Sequence, residues 1–265
     1  KALLRAIGRV GAVGLAAVVI TLNEEHNIER CLQSLSFADE VAVLDSFSSD
    51  STLDIARRFT DNVAQKQFAG FSEQWNAALG MVDEEWVMIV AADEVVTEPL
   101  AAEIGAAISR GDCDGWRMPR LTYFLGKAIR RCGWYPDYQL RVARASKARI
   151  PDRLVHERLE VDGTVGTLKH DLLHYSYPTI TDYVRKMVAY SRAAARQKFD
   201  EGRRFRITDL LLSPALAFGK MYLLKQGFRD GAHGLVLSVL GGCSIALRYA
   251  MLMEMSLREG HPEEP

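Results

Sequence analysis

The chain has 265 residues, 48% hydrophobic and 25% charged, with a formal net charge of -1. This length accommodates one large domain with a buried core plus an appendage, and the near-zero charge lacks the basic excess of a nucleic-acid binder. Cys31, Cys113, Cys132 and Cys243 stand at no metal-ligand spacing and suggest no disulfide framework, so a reducing compartment is expected.

Lys1 to Ala17 begins basic and turns apolar, but the apolar run continues into Val18-Val19-Ile20. It reads as a strand rather than a cleavable leader. Leu15 to Thr21 has the continuous apolar character of a parallel strand buried on both faces. Asn23 is expected to cap a helix whose Ile28, Leu32 and Leu35 fall at helical spacing. Val41 to Leu44 predicts a second strand ending at Asp45, and Ser51 with Asp54 resembles a capping box for the next helix, with Leu53, Ala56 and Phe59 on one face. Val63 to Gln65 is a short strand, Phe71 to Leu79 a helix, and Trp86 to Val90 a strong strand ending at Ala91-Ala92-Asp93-Glu94.

Strands alternating with helices predict an α/β fold: a mixed, mainly parallel sheet with helices on both faces. Ligands of such sheets bind beyond the carboxyl ends of the strands. Polar clusters stand at those ends: Thr21 to Glu25, Asp45 to Asp50, and Asp93-Glu94. Their coincidence on one sheet marks a candidate site, although each alone also suits a strand end or a helix cap. Further on, Tyr138–Val142, Leu154–Val161 and Thr164–Leu168 read as shorter strands, with Asp162-Gly163 as a hairpin turn. From Ile180 the chain is expected to be helical. No run supplies the roughly 18 uninterrupted apolar residues of a membrane span.

In order and spacing, four pieces resemble glycosyltransferase family 2, the inverting enzymes of GT-A fold. They are Val18-Val19-Ile20-Thr21-Leu22-Asn23-Glu24-Glu25, Leu44 to Thr52, Gln74-Trp75-Asn76-Ala77-Ala78 and Val90-Ala91-Ala92-Asp93-Glu94. Cys132 to Arg141, Leu154 to Arg158, Leu173 to Tyr177 and Lys220 to Gly231 are similar to segments of the lipopolysaccharide-core glucosyltransferase branch. The resemblance implies a Rossmann-like GT-A domain over 15–205 and a C-terminal helical segment over 206–258. It implies transfer of a sugar, glucose from a UDP-sugar, to a lipid-linked envelope saccharide at the inner face of the cytoplasmic membrane.

The resemblance also assigns residues. Asp45 falls where the family contacts uracil and ribose, with Thr21, Asn23, Glu24, Glu25 and Gln74 around the same nucleotide-sugar pocket. Glu25 equally suits the first turn of a helix. Ala91, Ala92 and Asp93 occupy the Asp-x-Asp motif, so Asp93 is the expected ligand of Mn2+ or Mg2+, ions that favour oxygen donors. By spacing alone, Asp93 serves equally as a helix cap. His156 is preferred over His174 as a late metal ligand, although a lone histidine is more often a packed polar residue. Asp137 is the candidate base that takes a proton from the acceptor hydroxyl; an Asp after Pro is also a common turn residue. Trp134, Tyr135 and Glu157 are the expected acceptor contacts.

Two positions depart from the pattern. Ala91 replaces the first motif carboxylate, and Trp75 stands where the family often has a basic residue. Ala91 keeps open a second reading, a catalytically impaired sugar-nucleotide binder. A sugar nucleotidyltransferase is a third, but Thr21 to Glu25 lacks the glycine-rich phosphate loop those enzymes carry after the first strand. Residues 207–257, rich in Leu, Ala, Met and aromatics, read either as a packed helical subdomain or, as preferred here, as a surface lying in the membrane interface.

Overall fold

The computed structural model describes residues 13–151 and 158–260. Its first four strands are β1 (Leu15–Thr21), β2 (Glu40–Asp45), β3 (Val63–Gln65) and β4 (Trp86–Ala91). β2 and β4 flank β1, β3 lies outside β2, and all pair in parallel. This register sets Thr21 beside Asp45 and Ile20 beside Ala91, so three carboxyl ends finish at one level.

Beyond β4 the sheet is mixed. It uses β5 (Glu94–Val96), β6 (Gly115–Phe124), β7 (Lys127–Ala128), β8 (Asp137–Arg144), β11 (Val165–Thr167) and β12 (Leu172–Tyr177). β8 pairs antiparallel with β4 and β6, and β11 pairs in parallel with β6. The order across the sheet is β3-β2-β1-β4-β8-β6-β12-β5, with β7 and β11 also paired to β6. β9 (Ala148–Arg149) and β10 (Glu160–Val161) form a separate two-stranded sheet.

Helices cover both faces. α1 (Ile28–Ser34), α2 (Thr52–Ala56) and α4 (Glu98–Arg110) pack Ile28, Leu32, Ala56, Leu100 and Ile104 against Val19, Val43 and Met88. α3 (Phe71–Leu79) sets Trp75 and Ala78 against Val18, Ala42, Leu44 and Ile89 on the other face. Val18 and Val19 go to opposite clusters because successive strand side chains alternate faces. Burial of each large aliphatic group contributes on the order of 1.5–3 kcal/mol, which makes this two-sided packing the main support of the strand ends.

The chain forms two compact units, one from Lys1–Arg120 and Asp137–Tyr175, the other from Leu121–Pro136 and Ser176–Pro265. In the second unit, α5 (Ile180–Asp200) and α6 (Ile207–Gly219) both pack on α7 (Ala232–Gly260). Phe124, Ile129, Cys132 and Leu237 form its small buried cluster. The Asp230 carboxylate accepts the Arg131 N–H at 2.8 Å, and the Asp230 carbonyl accepts the Lys127 ammonium at 2.7 Å.

Several local expectations change. Asn23 caps no helix: its φ of 53° is left-handed, and α1 starts five residues later at Ile28. Ser51 makes no cap bond; the Asp50 carboxylate accepts the Thr52 N–H instead, at 3.0 Å. Phe59 lies beyond the end of α2, which stops at Ala56. Asp162-Gly163 joins no hairpin, because β10 pairs with β9 and β11 pairs with β6. The Asp114 carboxylate draws the chain toward β6 there by accepting the Thr164 N–H at 2.9 Å. Residues 154–157 of the expected strand Leu154–Val161, and the start of the chain through residue 12, lie outside the described residues. Finally, Ile207–Leu224 and Ala232–Arg258 are long and apolar enough to cross a membrane by length and composition, with mean hydropathies of 1.3 and 1.8. The uninterrupted-run criterion missed them because isolated residues such as Lys220 and Arg248 break the apolar sequence.

Candidate active site at the strand ends

The loops after β1 and β2 are stitched to each other. The Asn23 N–H donates to Ser48 Oγ at 2.8 Å, and Asn23 Oδ1 accepts the Ser49 N–H at 2.8 Å. The Glu24 N–H donates to Thr52 Oγ1 at 2.8 Å, and Glu25 accepts the Ser51 N–H at 3.1 Å. Asn23 and Phe47 both adopt left-handed backbone, with φ of 53° and 63°. That conformation is costly for a bulky side chain and is held by the surrounding bonds. Phe47 is nevertheless exposed, so the strain presents an aromatic ring to solvent beside the site.

Asp45 is fully buried. Its carboxylate accepts the Ser48 N–H at 2.9 Å, the Ser48 hydroxyl at 2.5 Å and the Gln65 amide at 2.9 Å. Gln74, also buried, donates to Ser46 Oγ at 2.9 Å and to the Lys66 carbonyl at 3.2 Å. Thr21 Oγ1 and Gln74 Oε1 are buried without a hydrogen-bond partner. Orphaned polar atoms of this kind cost about 1–3 kcal/mol each.

At the end of β4, Asp93 pairs with His174, Oδ2 to Nε2 at 3.3 Å, and the Asp93 carbonyl accepts the Tyr175 N–H at 2.8 Å. The Cys31 thiol lies beneath, donating to the Ala91 carbonyl at 3.5 Å. Burial pushes this thiol well above its usual range, and the carboxylates of Glu94, Asp93 and Glu24 push it further.

Glu94 is buried completely and meets two guanidiniums. Its Oε1 takes the Arg141 guanidinium at 2.6 Å and the Arg120 guanidinium at 3.4 Å, while Oε2 accepts the Ala91 N–H at 3.0 Å. Arg120 turns its Nε and Nη2 to Asp137 Oδ2 at 3.0 and 2.7 Å. Gln139 donates to Asp137 Oδ1 at 2.8 Å. Burial alone would lower the Arg120 pKa, but the carboxylates of Glu94 and Asp137 outweigh it and raise the pKa above the ordinary value. Asp137 is thus an oriented, partly exposed carboxylate at the start of β8.

The first unit brings together Thr21, Asn23, Glu24, Glu25, Asp45, Gln74, Ala91, Ala92 and Asp93 at one end of its sheet, with Asp137 linked to them through Arg120 and Glu94. Trp134 belongs to the aromatic cluster of the second unit, stacked on Tyr183 at 6.4 Å, and Arg130 lies over the Tyr135 ring at 5.1 Å. His156 and Glu157 lie outside the described residues. Among the described residues no group of three metal-binding side chains occurs. Sequence alone assigns no role to Arg120 or Arg141; it marks Glu94 only within the Asp93-Glu94 strand end, and His174 only as the alternative to His156 as a late metal ligand. Glu94 directly follows the acidic motif, the one sequence signal that pointed to it.

Against this geometry, the family model of glycosyl transferase family 2 matches residues 16–157. The chain belongs to that family and is a glycosyltransferase. It is 26% identical to the lipopolysaccharide core biosynthesis glycosyltransferase LpsC of Rhizobium meliloti, over 94% of this chain and 95% of that protein. It is 28% identical to an uncharacterised glycosyltransferase of Rickettsia typhi, over 92% and 88% of the two chains. Among solved structures it is similar to Staphylococcus aureus TarS 1–349 in complex with UDP-GlcNAc, with 15% identity, a TM-score of 0.48, and coverage of 94% and 92%.

Asp45 anchors Ser48 and Gln65, so Asp45→Ala should release the loop between β2 and α2. UDP affinity, followed by calorimetric titration, is expected to fall about tenfold, with stability lower by roughly 1–3 kcal/mol and the fold retained. Unchanged affinity would remove Asp45 from the nucleotide site.

Proposed function

We infer that this chain is an inverting transferase that moves glucose from a UDP-sugar onto a lipopolysaccharide-core or other envelope glycolipid acceptor. The reading is carried by one observation: a carboxylate, Asp137, aimed by Arg120 and Gln139 and tied through Glu94 to the strand end bearing Asp93. The Rhizobium meliloti relative, a lipopolysaccharide core biosynthesis glycosyltransferase, supports the acceptor class.

In this reading the nucleotide lies over the ends of β1, β2 and β4, among Thr21, Asn23, Glu24, Glu25, Asp45 and Gln74. Asp137 accepts the proton of the acceptor hydroxyl as its oxygen attacks the anomeric carbon, and the nucleoside diphosphate departs from the opposite face. An ionised carboxylate offers about four lone-pair sites. Arg120 and Gln139 use three of them, which leaves one for the incoming hydroxyl. Asp93 and His174 fit two positions around a divalent ion such as Mn2+ or Mg2+, whose other ligands would be diphosphate oxygens and water. Such an ion would stabilise charge on the leaving diphosphate. His156 is kept as a further candidate ligand, with Trp134, Tyr135 and Glu157 as acceptor contacts.

The membrane is the proposed partner of residues 206–258. The window Ile207–Leu224 has no buried residue, and Leu211, Leu216 and Leu224 are 67%, 71% and 78% exposed. Arg203, Arg204 and Arg206 precede this window, and Lys220 and Lys225 stand at its far end, suited to anionic headgroups. The enzyme would then work as a peripheral protein on the inner face of the cytoplasmic membrane.

Three outcomes are expected. Asp137→Asn should slow single-turnover transfer by about 10²–10⁴-fold with donor affinity nearly unchanged, because the base acts on the acceptor. Near-normal transfer would eliminate Asp137 and make Glu157 the next candidate. Ala91→Asp adds an oxygen ligand beside Asp93 and should sharpen Mn2+ dependence and speed transfer. If the parent chain binds UDP-glucose but turns over nothing and Ala91→Asp restores turnover, the impaired-binder reading holds. Changing Leu211, Leu216 and Leu224 to Gln together should abolish sedimentation with anionic phospholipid vesicles, since each buried Leu contributes roughly 1.5–3 kcal/mol. Equal sedimentation of parent and triple variant would refute the membrane contact.

A further inference from the structure

On the face of the sheet that carries α3, a cavity of about 260 Å³ opens beside β8. Its floor is apolar and includes the buried Trp75 and Ile89. Three arginines line it, Arg117, Arg141 and Arg158, and no carboxylate is among its described lining residues. Thr21, Asp45 and Asp93 do not line it either, so it is not the strand-end pocket.

The state of these arginines indicates what the cavity takes. Arg117 donates to the neutral Thr167 hydroxyl at 2.8 Å and lies over the Tyr138 ring at 5.4 Å, so its charge meets no acid in these contacts. Arg141 uses Nη2 on Glu94, but its Nε is buried without a hydrogen-bond partner. A buried guanidinium donor left unpaired is costly. Arg141 is balanced by Glu94, but Arg117 adds positive charge to the same concavity, and planar guanidinium forks match phosphate or carboxylate oxygens.

Gln139 ties the cavity to the chemistry. It lines the wall and donates to Asp137 Oδ1 at 2.8 Å. Asp137, Gln139 and Arg141 follow one another along β8, and at a strand rise of about 3.3 Å per residue they span roughly 13 Å. A saccharide of several rings whose reacting hydroxyl meets Asp137 can span that distance and bring a more remote group to the arginines. We propose that this cavity binds an anionic substituent, phosphate or carboxylate, on the saccharide acceptor, and that the enzyme selects acidic acceptors through it. The proposal rests on the assignment of Asp137 as the acceptor-side base.

The test titrates the full chain with mannose 6-phosphate, glucuronate and uncharged mannose, and separately with UDP. The acidic sugars should bind about tenfold more tightly than mannose, the worth of one charge-assisted hydrogen bond. The tighter of the two acids identifies the substituent. Arg117→Ala with Arg158→Ala should erase the preference and leave UDP affinity unchanged; both side chains are exposed, and thermal melting checks the fold. Lys at both positions should retain a preference, because the charge remains. No preference in the parent chain, or a preference that survives the double Ala change, overturns the proposal. A parallel loss of UDP affinity overturns it too, by giving the cavity to the donor diphosphate. If UDP fails to bind the parent chain, the donor reading falls separately, and the cavity is judged on the acidic sugars alone.

Discussion

The active end of the sheet depends on one buried carboxylate. Glu94 is fully enclosed and is held by two guanidiniums and a backbone N–H. With Asp137 it makes two negative charges against the two positive charges of Arg120 and Arg141. The cluster is neutral as a group, the condition under which ions are tolerated away from water. Removing one member would leave a buried charge without its partner, a change that typically costs about 3–5 kcal/mol. Its value is geometric. β5 pairs with neither β6 nor β8, yet Glu94 at its start joins Arg120 on β6 and Arg141 on β8. The turn that presents Asp93 and the strand that presents Asp137 are therefore fixed to one another by ionic contacts as well as by the pairing of β4 with β8.

A bulge contributes to the same end. Trp116 faces Val142 and Arg117 faces Leu140, so Arg141 is an extra residue in β8 with no partner on β6. Such insertions re-aim side chains and gather next to active sites. Here the extra residue is the one that reaches Glu94 and also lines the cavity. A regular strand would have sent alternate side chains to fixed faces and left one of these contacts unmade.

Much of this was legible in the sequence because it follows from periodicity. The apolar runs at Leu15–Thr21 and Trp86–Val90 could only be strands buried on both faces, and their polar ends marked the site directly. The helix Phe71–Leu79 falls as its pattern predicts. What failed was short-range polar chemistry. Asn23 is a good cap by residue type, but here its side chain bonds to Ser49 on another loop, a long-range contact that no local pattern encodes. Asp162-Gly163 has turn chemistry, but Asp114 decides where the chain goes next. The Glu94 cluster joins residues 26 and 47 positions apart and was equally out of reach.

The two departures from the family pattern gain a physical setting from the same cluster. Position 91 contributes its backbone to the site: its N–H goes to Glu94 and its carbonyl accepts the Cys31 thiol. A methyl side chain leaves those bonds intact, so the turn that carries Asp93 keeps its shape without the first motif carboxylate. Trp75 is buried in the cluster around Ile89 and forms part of the cavity floor, where a basic side chain would need a counter-ion. Positive charge on this side of the sheet comes instead from β6, β8 and the chain before β10, through Arg117, Arg141 and Arg158.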